Sequence, residues 1–229
     1  MLGVLLNTAG GITGGDRYVI RAHARTGTGL TVTTQAAERA YRAEKFETGR
    51  QDTHLTVDDG ADLHWLPQET ILFDGARFRR RLTVDLNADA SFLMVEPLVF
   101  GRAAMGERLQ DVAFNDRIEI RRDGIPIYLD ALSLDDAVSD QMKAPARGGG
   151  AGAMATVVRV SRAADAHLDP LRALLHDLKP TGLCAGVSLV RDGLLVLRAL
   201  APDSHILRQA LVPVLERLAQ QDIPRPWTI

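Results

Sequence analysis

Through most of this chain, apolar and polar positions alternate with a period of two. Such alternation marks strands that bury one face and expose the other. Tyr18, Ile20 and Ala22 alternate with Val19 and Arg21. Leu30, Val32 and Thr34 alternate again after Thr26-Gly-Thr-Gly29, which predicts a hairpin with the preceding strand. Gln51 to Val57 alternates through Thr53 and Leu55, Asp58-Asp59-Gly60 closes it, and Asp62 to Leu66 reads as the return strand, stopped by Pro67. Phe78, Arg80, Leu82, Val84 and Leu86 share one parity. Ser91 to Phe100 is almost continuously apolar, the pattern of a strand buried on both faces. Val112, Phe114, Ile118 and Ile120 alternate, and Asp123-Gly124 joins them to Ile125–Leu134 in the strongest hairpin signal of the chain.

The pattern changes in the last third. A strand is predicted over Ala155–Val160 after the loop Pro145-Ala-Arg-Gly-Gly-Gly-Ala-Gly152. Asp169-Pro170 then opens a helix whose face is Leu171, Leu174, Leu175 and Leu178, with a stop at Pro180. A hairpin follows, from Gly186–Val190 through Arg191-Asp-Gly193 to Leu194–Ala199. A second helix is predicted from about Ser204 to Gln221, with a kink or break at Pro213. Strands do not alternate with helices, so a doubly wound nucleotide-binding fold is excluded. The reading is a mainly β architecture of stacked or open sheets, with two helices in the C-terminal third covering one side. No fixed-period repeat is visible.

Composition narrows the function classes. The 229 residues carry 27 basic and 29 acidic side chains, a net charge of −2. That balance argues against bulk binding to nucleic acid or to an anionic membrane. The short apolar runs exclude a transmembrane helix, and the first residues lack a basic signal-peptide region, so the expected compartment is the cytoplasm. Cys184 is the only cysteine, which excludes an internal disulfide and a multi-cysteine zinc site. Its apolar flanks predict a buried, inert thiol. All but three of the basic residues are arginines, a bias that fits either a GC-rich coding sequence or an arginine-rich recognition surface.

Candidate chemistry is sparse. Gly10-Gly-Ile-Thr-Gly-Gly-Asp16 is not a phosphate loop, because it lacks the Lys-Ser/Thr pair and precedes a strand. It reads as a tight turn between sheet layers, or as a turn presenting Asp16 as a hard-oxygen ligand. The six histidines form no paired ligand spacing, and no nucleophile elbow occurs. Asp16, Glu38, Glu69 and Glu96 lie beside strand or turn signals and leave open a weak carboxylate route for a divalent cation. Arg79-Arg80-Arg81 puts two arginines on one strand face, which fits a solvated face, a partner contact or the guard of an edge strand. Ile223-Pro-Arg-Pro-Trp227 is a rigid tail whose aromatic ring could dock on its own domain or on a partner.

Five segments together resemble the urease accessory proteins of the UreD (UreH) type: Asn7-Thr-Ala-Gly-Gly-Ile-Thr-Gly-Gly-Asp16, Gln35-Ala-Ala-Glu-Arg-Ala-Tyr-Arg42, Leu66-Pro-Gln-Glu-Thr-Ile-Leu-Phe-Asp-Gly-Ala76, Val95-Glu-Pro-Leu-Val-Phe-Gly-Arg-Ala-Ala-Met-Gly-Glu107 and Pro-Arg-Pro-Trp227. The resemblance spans the chain in the expected order. It implies a single domain over residues 1–229, with a helix-like stack of β-strands and a few α-helices. It implies a non-enzymatic maturation factor with no catalytic residues. Such a factor binds the urease apoprotein and UreF-type and UreG-type partners, and assists nickel insertion into an active site of two nickel ions bridged by a carbamylated lysine. No tightly bound cofactor is implied, only transient nickel, for which Asp16 is the best path candidate and Glu69 and Glu96 weaker ones. Arg102, Glu107 and Trp227 are implied as structural or partner-facing positions. Family members carry further strands before the glycine motif, so the expectation is that those strands are missing here. Two other readings compete: a small-molecule hydrolase using carboxylates, and a structural β-scaffold with no metal role.

Overall fold

The computed structural model describes residues 1–178 and 181–228. Among the described residues fourteen strands run in chain order: β1 (Leu2–Leu5), β2 (Arg17–Ala24), β3 (Gly29–Thr34), β4 (Glu38–Ala40), β5 (Gly49–Val57), β6 (Asp62–Leu66), β7 (Thr70–Leu72), β8 (Arg77–Leu86), β9 (Ser91–Phe100), β10 (Val112–Arg122), β11 (Ile125–Asp136), β12 (Ala153–Val160), β13 (Cys184–Arg191) and β14 (Leu194–Ala201). They form two facing sheets. The first has nine strands, in the order β1-β3-β6-β9-β12-β14-β13, with β7 against β9 and β4 against β7. The second has five, in the order β11-β10-β8-β5-β2.

The chain winds between the sheets. β2, β5, β8 and β10 stack in parallel in one sheet, while β3, β6 and β9 stack in parallel in the other. The two predicted early hairpins are therefore corrected: β2 pairs with β5 rather than β3, and β5 pairs with β8 rather than β6. Period-two alternation shows that a strand has an inner and an outer face, but it does not say which strand lies alongside. The turns at Thr26–Thr28 and Asp58–Gly60 carry the chain across to the facing sheet. The mainly β, stacked and helix-like arrangement is as expected. Coils of unequal length explain the missing sequence period: the aligned positions Arg17, Arg50, Arg79 and Asn115 are unevenly spaced along the chain.

The two later hairpins match prediction. β10 and β11 pair antiparallel through Asp123 (φ 49°) and Gly124 (φ 77°), the left-handed pair that a two-residue turn with strand-matched twist requires. β13 and β14 pair antiparallel around Gly193. Cys184 starts the outermost strand β13 and is exposed, which corrects the buried thiol: an edge strand with only one packed side leaves it at the surface.

A short helix α1 (Val138–Gln141) follows β11, α2 (Leu168–Leu178) precedes β13, and α3 (Ser204–Ala219) follows β14. The predicted stop of α2 at Pro180 lies outside the described residues. Asp203 caps α3, accepting a 2.8 Å hydrogen bond from the Ile206 amide. No break occurs at Pro213; the helix continues through it, because Leu207, Leu211, Val214, Leu215 and Leu218 are buried against the nine-stranded sheet on both sides of the proline. The tail folds back over this layer, and Trp227 is 1% exposed. Among the described residues no helix is long and apolar enough to cross a membrane.

The space between the sheets is not uniformly apolar. One cluster contains Leu82, Met94, Ile118 and Val158, and a second contains Phe78, Leu98 and Phe114, with Met154 packed against it. Arg80, Glu96, Asp116 and Thr156 lie between these members on the same four strands. A polar layer thus crosses the interior between two apolar ones.

Candidate functional site

That polar layer is the candidate site. On the five-stranded sheet Gln51, Arg80 and Asp116 stand side by side in register. On the facing sheet Glu96, Thr156 and Arg198 do the same. Period-two geometry turns all of these residues inward, because each shares parity with the apolar residues two positions away.

Arg80 is the centre. Its Nε and Nη2 donate to the two carboxylate oxygens of Asp116 at 3.0 and 2.6 Å. Its Nη1 lies 2.5 Å from Glu96 Oε2 and donates to Thr70 Oγ1 at 3.2 Å. Trp65 Nε1 donates to the other Glu96 oxygen at 2.8 Å. Burial pushes the Glu96 carboxyl above the usual carboxylate range, against the pull of the Arg80 guanidinium, and the nearby Asp116 charge adds to the rise. Burial also works against the Arg80 cation, but Asp116 and Glu96 hold its pKa above the ordinary arginine value. With both acids ionised the cluster is one positive charge short. A proton on Glu96, or a cation beside it, makes up the difference.

Cavities open on both sides of this cluster. The larger, of about 480 Å³, is lined by Asn7, Tyr18, Glu38, Gln51, Arg80 and Glu96. The smaller, of about 50 Å³, is lined by Arg80, Glu96, Asp116, Asp130, Thr156 and Arg198. Arg80 and Glu96 border both. On the far side Arg198 Nη2 lies 2.7 Å from Asp130 Oδ2, and Tyr128 Oη donates to the same oxygen at 3.1 Å. Burial, reinforced by Asp130, pushes the Tyr128 phenol up to about 12. Carboxylates are thus spaced across the interior: Glu38 in the larger cavity, Glu96 at the junction, Asp116 and Asp130 in the smaller.

The predicted residues separate on this map. Glu96 and Glu38 belong to the layer; Glu38 accepts hydrogen bonds from Asn7 Nδ2 at 3.0 and 3.1 Å. Glu69 is buried but turned toward α3, where Arg208 Nη2 donates to it at 3.3 Å. Asp16 lines neither cavity; its Oδ2 accepts a 2.9 Å hydrogen bond from the Thr13 amide and closes the glycine turn. That turn links the sheets. Gly15 takes φ +83°, and a Cβ on Gly11 would come within 2.3 Å of the Tyr41 ring. Arg102 donates to both Glu107 oxygens at 2.9 and 3.0 Å and lies 4.3 Å over the Phe73 ring. Glu107 also accepts from the Arg102 and Asp74 amides, so this pair shapes the loop after β9. The Arg102 hydrogen bond holds the Glu107 carboxyl below its ordinary range.

Trp227 is in the core, with Nε1 donating to the Leu66 carbonyl at 3.0 Å and Arg208 stacked 5.1 Å from its ring. The tail therefore docks on its own chain, and the indole is not presented to a partner. Arg80 is likewise internal, while Arg79 and Arg81 face outward. The edge-guard reading of the arginine run fails, because β8 is the middle strand of its sheet.

Arg80, Asp116 and Asp130 were not predicted as site residues. The signal was nonetheless present: Arg80 occupies an apolar-parity position between Phe78 and Leu82, and Asp116 another between Phe114 and Ile118. Among the described residues no three His, Cys, Asp or Glu side chains gather to hold a metal ion.

Comparison with known proteins places this architecture. The family model described as UreD urease accessory protein matches residues 1–228. A urease accessory protein UreD from Ruegeria pomeroyi is 54% identical over 226 residues, covering 99% of this chain and 86% of that protein. One from Roseobacter denitrificans is 49% identical, covering 98% and 80% respectively. A urease accessory protein UreD 2 from Methylorubrum populi is 45% identical, covering 98% and 75%. With a whole-length family match and relatives of this identity, the chain belongs to the UreD family of urease accessory proteins.

Proposed function

We propose that this chain is a non-enzymatic maturation factor that binds the urease apoprotein with UreF-type and UreG-type partners and passes nickel through its interior toward the urease active site. Membership of the UreD family supports the role in urease maturation. The observation that carries the transit reading is the Arg80–Glu96–Asp116 cluster, short of one positive charge and open to a cavity on either side. A divalent cation entering the larger cavity meets Glu38 and then Glu96. Asp116 and Asp130 offer the next oxygens. Isolated carboxylates hold nickel more weakly than imidazole or thiolate ligands, which suits release over storage.

Glu96→Gln tests this. The amide keeps the shape and an acceptor for Trp65 but removes the charge. Co-expressed with the urease subunits and the other accessory proteins at limiting nickel, the variant should assemble normally and activate urease at least tenfold less. Equal activation by an assembled variant would remove the polar layer from the route. Equal activation with the chain omitted would remove the maturation role itself.

A further inference from the structure

The outer face of the five-stranded sheet carries more arginines than the acids on that face balance. β2, β5, β8 and β10 share one parallel register there. Arg17 stands beside Arg50, and Arg50 beside Arg79. Two residues further along, Arg81 stands beside Arg117 and Asp52, and in the next row Arg21 stands beside His54. The six arginines occupy exposed, outward positions of their strands. Neighbouring strands are about 4.8 Å apart, so three guanidinium-bearing positions follow one another with no acid between them.

Margin arginines are paired: Arg77 with Asp111, and Arg117 and Arg121 with Glu119. Among the described residues, Arg17, Arg21, Arg50, Arg79 and Arg81 enter no ion pair. Like charges directly opposite one another destabilise a sheet. The chain as a whole is slightly acidic, so the patch is segregated charge and not general basicity. A row that weakens its own sheet and packs against nothing within it is accounted for by something outside it.

We propose that this face docks an acidic protein surface, an array of Asp and Glu carboxylates. Several observations favour a protein over other anions. The cations are arginines, whose fork pairs carboxylates two bonds at a time. Val19 and Leu129, 53% and 57% exposed, share the face and give it the mixed arginine and apolar character of protein interfaces. None of the outward positions of β2, β5, β8 and β10 is Phe, Tyr or Trp, so the face lacks the large flat rings of a base-stacking platform. This inference does not depend on nickel passage.

The test is the triple variant Arg50→Ser, Arg79→Ser, Arg81→Ser in the full chain. Its thermal midpoint should equal or exceed the parent's, because repulsion is relieved; a lower midpoint would mean the row is structural and would overturn the proposal. Poly-L-glutamate is the probe, with binding measured at 50 and 300 mM salt. The parent should bind with an affinity that falls at least tenfold between the two, and the variant should bind at least tenfold more weakly at the lower salt. Absence of parent binding, or parent-like affinity in the variant, overturns the assignment. So does tighter binding of the parent to a single-stranded DNA oligonucleotide or to phosphatidylserine vesicles than to poly-L-glutamate.

Discussion

Replacing Arg80 with methionine probes the polar layer most directly. Met fills much of the side-chain volume but removes the cation that serves Asp116 through two hydrogen bonds, Glu96 at 2.5 Å and Thr70 at 3.2 Å. The two carboxylates left behind have side chains only 10% and 5% exposed. Removing one partner of a buried ion pair costs about 3–5 kcal/mol, because the remaining charge stays desolvated. Total stabilities are typically about 5–15 kcal/mol, so the loss is a large share. With urea slopes of about 1–3 kcal/mol/M, the midpoint should fall by roughly 1–5 M. Unfolding is followed by tryptophan fluorescence, since Trp65 donates directly to Glu96.

The pH dependence gives a second handle. A carboxyl whose folded pKa is raised contributes stability that is present below its unfolded pKa and lost as pH rises through the folded value. In the parent this applies to Glu96. In Arg80→Met the guanidinium that opposes the rise is gone, so the gap between parent and variant should widen from pH 5 to pH 8. A loss below about 1 kcal/mol at pH 7, or a gap that does not change with pH, would refute the charge argument. Adding Glu96→Leu and Asp116→Leu to Arg80→Met should recover most of the stability, since apolar replacement of a whole buried ion cluster is often neutral.

Trp227→Ala should cost about 3–5 kcal/mol and lower the thermal midpoint by roughly 6–20 °C in calorimetry, as expected for a fully buried indole; a shift within error would mean the tail does not dock. Asp62 titrates low because the His64 and Arg159 hydrogen bonds outweigh its burial, so its contribution is present above the ordinary carboxylate pKa and lost as pH falls through the folded value. Asp62→Asn should therefore flatten the stability profile below about pH 4, and an unchanged acid limb in urea titrations would count against the pairing. Asp16→Ala should loosen the glycine turn and reduce urease activation while partner capture persists, and Asp16→Asn, which keeps an acceptor for the Thr13 amide, should restore activation. An Asn variant as defective as the Ala variant would instead place the Asp16 charge on the nickel route.

Strand identity was legible because the inward and outward faces of each strand differ chemically; Phe78–Leu86 and Ser91–Phe100 were located almost to the residue. The two late hairpins were legible because their turns need residues that tolerate positive φ. The stacking was not legible, since β2 and β5 make contact across a coil of chain and nothing local records that pairing. The site was half legible. Glu96 stood out as an acid in an apolar run, but its role depends on Arg80 and Asp116, brought to it from two other strands.

By itself, then, the sequence determined the longer strands, the predominance of strands, the two C-terminal helices and the family to which the motifs point, because these follow from local periodicity, turn chemistry and motif order, whereas the short β1, β4, β7 and α1 carry too few residues to show a period. Only the tertiary structure decided which strands are neighbours, that Arg80 faces inward while Arg79 and Arg81 face out, that Trp227 is used up in the core, and that separate carboxylates line one polar layer. Those outcomes rest on contacts between residues far apart in the chain, where parallel register and burial, rather than sequence spacing, set which charges meet.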